Sequence, residues 1–339
     1  MHNFTRKQFS DFQQRIAEIN GVASVDSKFS VAASVQQKLE NKIQESAEFL
    51  KKINVIGVVE QQGEKIGLSV AGPSASTTDT QKKEREPRSA TAMESQKDHG
   101  MQTNFDTAIK YAVLDAWAKF PNFQQRIRNL ITERQALDRI MIGFNGVERA
   151  ETSNSVTSPL LQDVNKGWLQ HYRDISPARV MKEVKSGSGK VVIGKEGDYK
   201  NLDALVYDAT NHMIDSWFQG APGLVVLCGR DLLANKYFPL LNTLQAPSEQ
   251  MAAELVINQN RIGGLPVVTA PYFPAGKLMI TRLDNLSVYW QEGARRRAII
   301  DNVKRDQIEN YESSNDAYVV EDFGAGCVVE NIVIEEKQA

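Results

Sequence analysis

The sequence predicts a mixed α+β fold, and three features carry that expectation. Between Pro121 and Gly143 the row Phe123, Ile127, Leu130, Ile131, Arg134, Leu137, Ile140 and Met141 recurs at spacings of three and four, the period of one helix face. Pro stands at its start and Gly at its end, as helix boundaries favour. The run GLVVLCG has no polar side chain and reads as a strand buried on both faces. LPVVTAPYF, KLMITRL, LSVYWQEG and RRRAIIDN are strand-like runs punctuated by Pro-Ala-Gly, Asp-Asn and Glu-Gly turns.

The remaining elements follow in chain order. Phe9, Phe12, Ile16 and Ile19 mark an amphipathic helix that Gly21 should stop. After a patternless stretch, Val35, Leu39, Ile43 and Ala47 mark a second helix running into FLKKINV. The first third therefore looks like an extended arm without a core of its own. From Asn54 the period shifts towards strand, with Val55, Ile56, Val58 and Val59 leading in and Ile66, Leu68 and Val70 alternating. Further on, Leu202, Leu205, Val206, Ala209 and Met213 mark a helix, and RDLLANKYFPLLN another.

Between Ala71 and Asn104 large apolar residues almost vanish; only Met93 and Met101 interrupt the polar text. Such a segment has too little apolar surface to offset the entropy of ordering it. Its flanks are well patterned, so it reads as a lid, a linker or an arm that orders on a neighbour. If residues 54–104 form one antiparallel excursion, each leg spans up to about 80 Å at roughly 3.3 Å per residue. A globule of this length is only about 50 Å across.

The 339 residues suit one large or two modest domains. With 40 basic and 42 acidic residues there is no overall field to hold a polyanion. No apolar run approaches the roughly 20 residues of a membrane span, and the charged start MHNFTRKQFSDFQQRIAEIN is unlike a signal peptide, which implies action where the chain is made. Cys228 and Cys327 sit in apolar text and read as buried free thiols.

The search for chemistry yields no enzyme. SGSGK, ending at Lys190, lacks the earlier Gly of a phosphate loop, which is Val184 here, and has Val191 where Ser or Thr would hold magnesium. A Gly-Ser turn is the better reading. His2, His99, His171 and His212 are scattered without metal-ligand spacing. No G-x-S-x-G is present, and Cys327 lacks neighbours that would lower its pKa. Glu321 and Asp322 read as solvated or salt-bridged acids rather than a catalytic pair. Arg295, Arg296 and Arg297 form a local basic patch. It is read either as phosphate contact or as an exposed turn pairing with acids of an adjacent chain.

The C-terminal text RIGGLPVVTAPYFPAGKLMITRLDNLSVYWQEGARRRAIIDN, followed by NYESSNDAYVVEDFGAGCVVENI, resembles the major capsid proteins of tailed bacteriophages in their Peduovirus-type branch. Upstream, IQESAEFLKKINVIGV, GEKIGLSV, ASTTDT, FQQRIRNLITERQALDRIMIGFNGVERAETS, LLQDVNKGWLQHYR and PARVM stand in the matching order. The resemblance covers essentially the whole chain. It implies the Johnson fold of tailed-phage and herpesvirus capsids, shared with encapsulins. Its parts would be an N-terminal arm (1–53), an extended β loop (54–104) and a peripheral domain (105–200) holding the spine helix at 121–143. An axial domain (201–290) and return strands with a C-terminal tail (291–339) would complete it.

The resemblance also implies a function: a non-enzymatic shell subunit of a tailed dsDNA phage, needing no cofactor. It would self-assemble in the bacterial host cytoplasm as hexamers and pentamers of an icosahedral head. Partners implied are other copies, a scaffolding and assembly protease protein, the portal protein and packaged dsDNA enclosed without sequence-specific binding, with no membrane. Similar proteins of this branch lose an N-terminal segment to an assembly protease, which implies that about the first 30 residues here are a removable pro-segment. The stretch Val25–Ser30, and Lys28, Phe29 and Ser30 in particular, is the expected processing zone. Ser74, Lys82, Lys83, Arg85 and Arg88 are the expected intersubunit loop residues, although the tip matches the family only loosely. Two other readings are an encapsulin-like compartment shell and a hydrolase with a polar lid. The second demands a catalytic cluster that the text does not display.

Overall fold

The computed structural model describes residues 1–66, 69–70, 77, 91–92, 95–242 and 260–335. Helix α1 (Asn3–Asn20) stops at Gly21, which takes a left-handed φ of 65°. The Gly21 and Val22 amides then donate to the carbonyls of Glu18 and Ala17, satisfying the helix end. Thr5, Phe9, Phe12 and Ala17 form its buried row, while Ile19 is exposed. After β1 (Phe29–Ser30), α2 (Ala33–Ser46) turns Gln36, Glu40 and Ile43 inward. The apolar row expected through Val35 and Leu39 is thus rotated, and both are only half-buried.

Strands β2 (Asn54–Val58), β3 (Gln62–Ile66), β4 (Ser69–Val70), β5 (Thr91–Ala92) and β6 (Ser95–His99) follow. Both β3–β6 and β4–β5 are antiparallel, and they share one register. Continuing three residues along each strand from Ile66 opposite Ser95 brings Ser69 opposite Ala92. Next come β7 (Met101–Asn104), β8 (Thr107–Lys110) and α3 (Tyr111–Ala118).

The long helix α4 (Phe123–Asn145) begins two residues after Pro121 but runs straight through Gly143, which the sequence marks as its stop. A Cβ at Gly143 would lie 2.2 Å from the ring of Trp168, at the start of α5 (Trp168–Ile175). The glycine serves close packing, not termination. Trp168 meets Phe144 edge-on at 5.1 Å and Tyr318 at 5.6 Å, and its ring N–H donates to the Ser287 carbonyl at 2.9 Å. Leu130 faces solvent, and Arg134 pairs with Asp138 one turn on, so neither belongs to the buried row.

The chain continues through β9 (Val180–Met181), β10 (Val191–Ile193), α6 (Leu202–Met213), α7 (Ser216–Gln219), β11 (Leu224–Cys228), α8 (Arg230–Asn242), β12 (Arg261–Ile262), β13 (Leu265–Thr269) and β14 (Leu278–Arg282). It ends with β15 (Leu286–Gln291), β16 (Arg296–Asn302), β17 (Gln307–Val320), β18 (Cys327–Val329) and β19 (Ile332–Ile334). One six-stranded sheet runs β12-β13-β11-β14-β18-β9. Successive side chains of a strand point to opposite faces, and here that alternation separates two cores. Val225, Leu227, Met279 and Val328 enter the core shared with α2, α4 and α5. Leu224, Val226, Cys228, Leu278, Ile280 and Cys327 enter the one covered by α6. Both cysteines are buried free thiols, and burial pushes each pKa up to about 12.

The second sheet is organised by β17. Along one side it pairs antiparallel with β16 (Asn302 opposite Gln307 to Arg296 opposite Ser313) and then with β15 (Trp290 opposite Asp316 to Leu286 opposite Val320). Along the other side it pairs with β8 and β7. On the first side, β1 lies against β16 and β2 runs parallel to β15. A third core joins α1, α3, the first half of α4 and the start of β17. Gly143→Ala should lower stability by about 3 kcal/mol, the upper range of overpacking. A matched pair of thermal or urea unfolding curves checks this, and an unchanged midpoint would show that Trp168 can move aside.

Candidate functional site

Arg295, Arg296 and Arg297 do not make a surface patch. In an extended strand the first and third residues share a face, and here that face is inward. The Arg295 side chain is 0 % exposed; it reaches Glu40 Oε1 at 2.6 Å, Glu312 Oε2 at 3.0 Å and the Gln135 side-chain carbonyl. Arg297 donates from Nε to Asn310 Oδ1 at 2.8 Å and forms an ion pair with Glu312 Oε1 at 2.9 Å. Only Arg296 is exposed. The acids that pair with this cluster belong to the same chain.

From α4, one turn apart, come Gln135 and Arg139. Arg139 forks onto Asp316, with Nε to Oδ2 at 2.9 Å and Nη2 to Oδ1 at 3.1 Å, and its other edge meets the Glu40 carboxylate. Gln135 donates to Glu312, and the Ser314 hydroxyl donates to Asp316 at 2.7 Å. Glu40 on α2, Arg139 on α4, Arg295 and Arg297 at β16, and Glu312 and Asp316 on β17 thus balance three cations against three anions. Five of the six are at most 2 % exposed.

Burial alone would raise the Glu40 pKa; attraction to Arg139 and Arg295 outweighs it and holds the carboxyl below its ordinary value. Glu312 behaves alike: burial raises it, and Arg297 and Arg295 more than compensate. Each carboxylate is consumed by guanidinium contacts, so the cluster fastens α2, α4 and the β17 sheet together and offers no acid, base or nucleophile.

Other candidates are likewise engaged. Glu183 fills the turn at SGSGK, accepting the amides of Gly187 at 2.9 Å and Gly189 at 2.7 Å, where a phosphate loop would hold its ligand. Glu321 accepts from Ser287 Oγ and Tyr289 OH, and Asp322 accepts from the Gly324 amide. Among the described residues no group of three or more His, Cys, Asp and Glu is placed to hold a metal ion. Nor is any helix among them long and apolar enough to cross a membrane.

In the expected processing zone, Lys28 is exposed, Phe29 is buried opposite Arg297, and Ser30 is exposed opposite Arg296. Ser74, Lys82, Lys83, Arg85 and Arg88 lie outside the described residues. Sequence reasoning missed Glu40, Gln135, Arg139, Glu312 and Asp316. Two signals were available: Gln36 with Glu40, and Gln135 with Arg139, are polar pairs at i,i+4, and each recurs beside apolar helix positions.

The chain is a mixed α+β scaffold whose most buried charges are spent on internal fastening. The chain belongs to the P2 family of phage major capsid proteins: the profile described as "Phage major capsid protein, P2 family" matches residues 8–332. It is 51% identical to the "Capsid proteins" of Escherichia phage P2, over 98% of this chain and 96% of that one. It is 38% identical to the "Major capsid protein" of Serratia phage KSP20, over 100% and 99%. Among solved structures it superposes on a chain of the satellite phage P4 procapsid including size determination (Sid) protein with a TM-score of 0.83. That match has 49% identity and covers 99% of both chains. A chain from the capsid of a native GTA particle shares the fold, with a TM-score of 0.50 and 12% identity over 85% of this chain and 91% of that one. The protein is a structural component of a bacteriophage virion capsid and not an enzyme.

Glutamates whose folded pKa lies below the unfolded value add stability that is full above the unfolded pKa and fades as pH falls through the folded one. Stability of the folded chain should therefore decline below about pH 4.5, the ordinary glutamate value. Glu40→Gln should cost about 3 kcal/mol at pH 7, since it leaves buried guanidinium charge uncompensated, and should flatten the acid limb. Urea titrations from pH 3 to 7 test both, and a variant as stable as the parent at pH 7 would refute the account.

Proposed function

We propose that this chain is the repeating shell unit of an icosahedral procapsid, assembling with its own copies as hexamers and pentamers. In this reading the anatomy is that of the Johnson fold. Residues 1–53 form the arm, 54–104 the extended loop, 105–200 the peripheral domain with α4 as spine, 201–290 the axial domain, and 291–339 the return strands and tail. A scaffolding and assembly protease protein, the portal and packaged dsDNA are its further partners, the DNA enclosed without sequence-specific contact.

The observation that carries this reading is the ribbon of β3–β6 and β4–β5. It holds one register over two ladders, and among the described residues its strands pair only with each other. A two-stranded ribbon is marginal by itself in water, so a long one is best supported by a second copy. Deleting residues 71–90 should leave the unfolding midpoint of the chain nearly unchanged while abolishing shells in electron micrographs of cells co-expressing the scaffold. Normal particles from the deletion would end this reading of the loop.

The processing proposal has its own support. Asp26, Ser27 and Lys28 are an exposed segment, and β1 beyond it is a two-residue pairing flanked by the backbone bonds of Val25 and Val31. Intact-mass measurement of virion protein should show a chain lacking about the first 30 residues. Retention of residues 1–20 would exclude removal in this zone.

A further inference from the structure

Helix α3 is apolar on nearly every side, yet only one side is covered. Its sequence is Tyr-Ala-Val-Leu-Asp-Ala-Trp-Ala, and Tyr111, Leu114 and Ala118 face the third core. Asp115, the one polar side chain, is taken by the start of the chain: it accepts the His2 amide at 2.9 Å and the Thr5 hydroxyl. The opposite face carries Ala112, Val113 and Ala116, all exposed. Phe120 follows one helical turn after Ala116, with its amide held by the Trp117 carbonyl at 2.9 Å. Val113 is 40 % exposed and Phe120 38 %. A surface helix ordinarily keeps polar residues on its outer face, and one that is apolar all round is ordinarily buried. This face has no such cover within the chain.

The Phe120 end of the face is bordered by cations. The Arg126 guanidinium lies 4.2 Å from the centroid of the Phe120 ring, and the Lys119 ammonium lies 5.4 Å from it. Arg126 Nε donates to Asn122 Oδ1 at 2.9 Å, and among the described residues neither cation meets a carboxylate. No acid stands in the first turn of α4, so the charge at this end is positive. One turn beyond Arg126, Leu130 is also exposed. An apolar strip at helical spacing is what receives an amphipathic helix, which lays its own apolar row along the strip. Cations at the border select a helix edged with carboxylates, since like charges placed there would repel.

We propose that the outer face of α3, from Ala112 through Val113 and Ala116 to Phe120, docks an acidic amphipathic helix of the scaffolding partner. Val113 and Phe120 supply the apolar contact, and Lys119 and Arg126 meet the carboxylates of the incoming helix. A second copy of this chain is the poorer occupant: α1, α2, α4 and α6 each turn their main apolar row into their own fold. The inference rests on the shell reading for the source of the helix and adds where on the chain it binds.

The test uses the full chain co-expressed with the scaffold. Val113→Glu puts a charge in the open face and leaves the third core intact. It should cut the scaffold recovered with the chain about tenfold or more at an unchanged unfolding midpoint. Lys119→Glu/Arg126→Glu should cut recovery about fivefold or more and remove most of the salt dependence of binding. Photo-crosslinking from p-benzoylphenylalanine in place of Ala112, at the edge of the face, should join the chain to an acidic segment of the scaffold. Undiminished recovery with both variants, an adduct to a second copy, or no adduct would each overturn the assignment; if the parent still forms particles, the shell reading stands. A parent chain that neither bound scaffold nor formed particles would bring down the shell reading, and the assignment with it. Where Val113→Glu does not fold, the charge-reversal variant and the crosslink decide.

Discussion

Three guanidinium groups and three carboxylates meet where α2 and α4 lie on the β16–β17 sheet, out of reach of water except at Arg297. Any one of them alone there would cost several kcal/mol, and each is tolerated because its neighbours cancel its charge. Glu40 is held by Arg139 and Arg295, and Glu312 by Arg295 and Arg297. An apolar interface permits sliding, since one methyl group replaces another. This one does not, because a shift of one helical turn would leave buried charge facing nothing. The placement of the long helix on its sheet, and of α2 on both, follows from that constraint.

Around this junction the structure distributes its apolar contacts unequally. The six-stranded sheet serves two cores through simple alternation, and the aromatic group of Phe49, Phe144, Trp168, Phe273 and Tyr318 ties the end of α4 to both sheets. The third core is different in kind, since a chain-terminal segment supplies much of it.

Much of the fold was legible in the text. Helices α1 and α6, strand β11 and the runs of β13 to β16 follow from periodicity, because in each most of the apolar residues face a core, Ile19 and Ile300 being exposed. The ribbon flanking the polar excursion was legible for the opposite reason: its central text had nothing to bury. Strand β17 was not legible, although it organises a sheet. Its Glu309, Asn310, Glu312, Ser313, Ser314, Asn315 and Asp316 carry no apolar pattern, and they are buried or half-buried only because distant residues answer them. For the same reason the arginine cluster reads as surface text until Glu40 and Glu312 are seen beneath it.

What the sequence by itself determined is therefore the set of elements whose burial is hydrophobic, along with the family membership that its long runs display. Apolar burial needs no named partner, so a local pattern suffices to announce it. The tertiary structure alone decided the buried charges, the passage of α4 through Gly143 and the division of that helix between two anchors. A charge or a missing side chain acquires meaning only from the group opposite, and here that group lies tens to hundreds of residues away: Trp168 for Gly143, Asp316 for Arg139, Glu40 for Arg295.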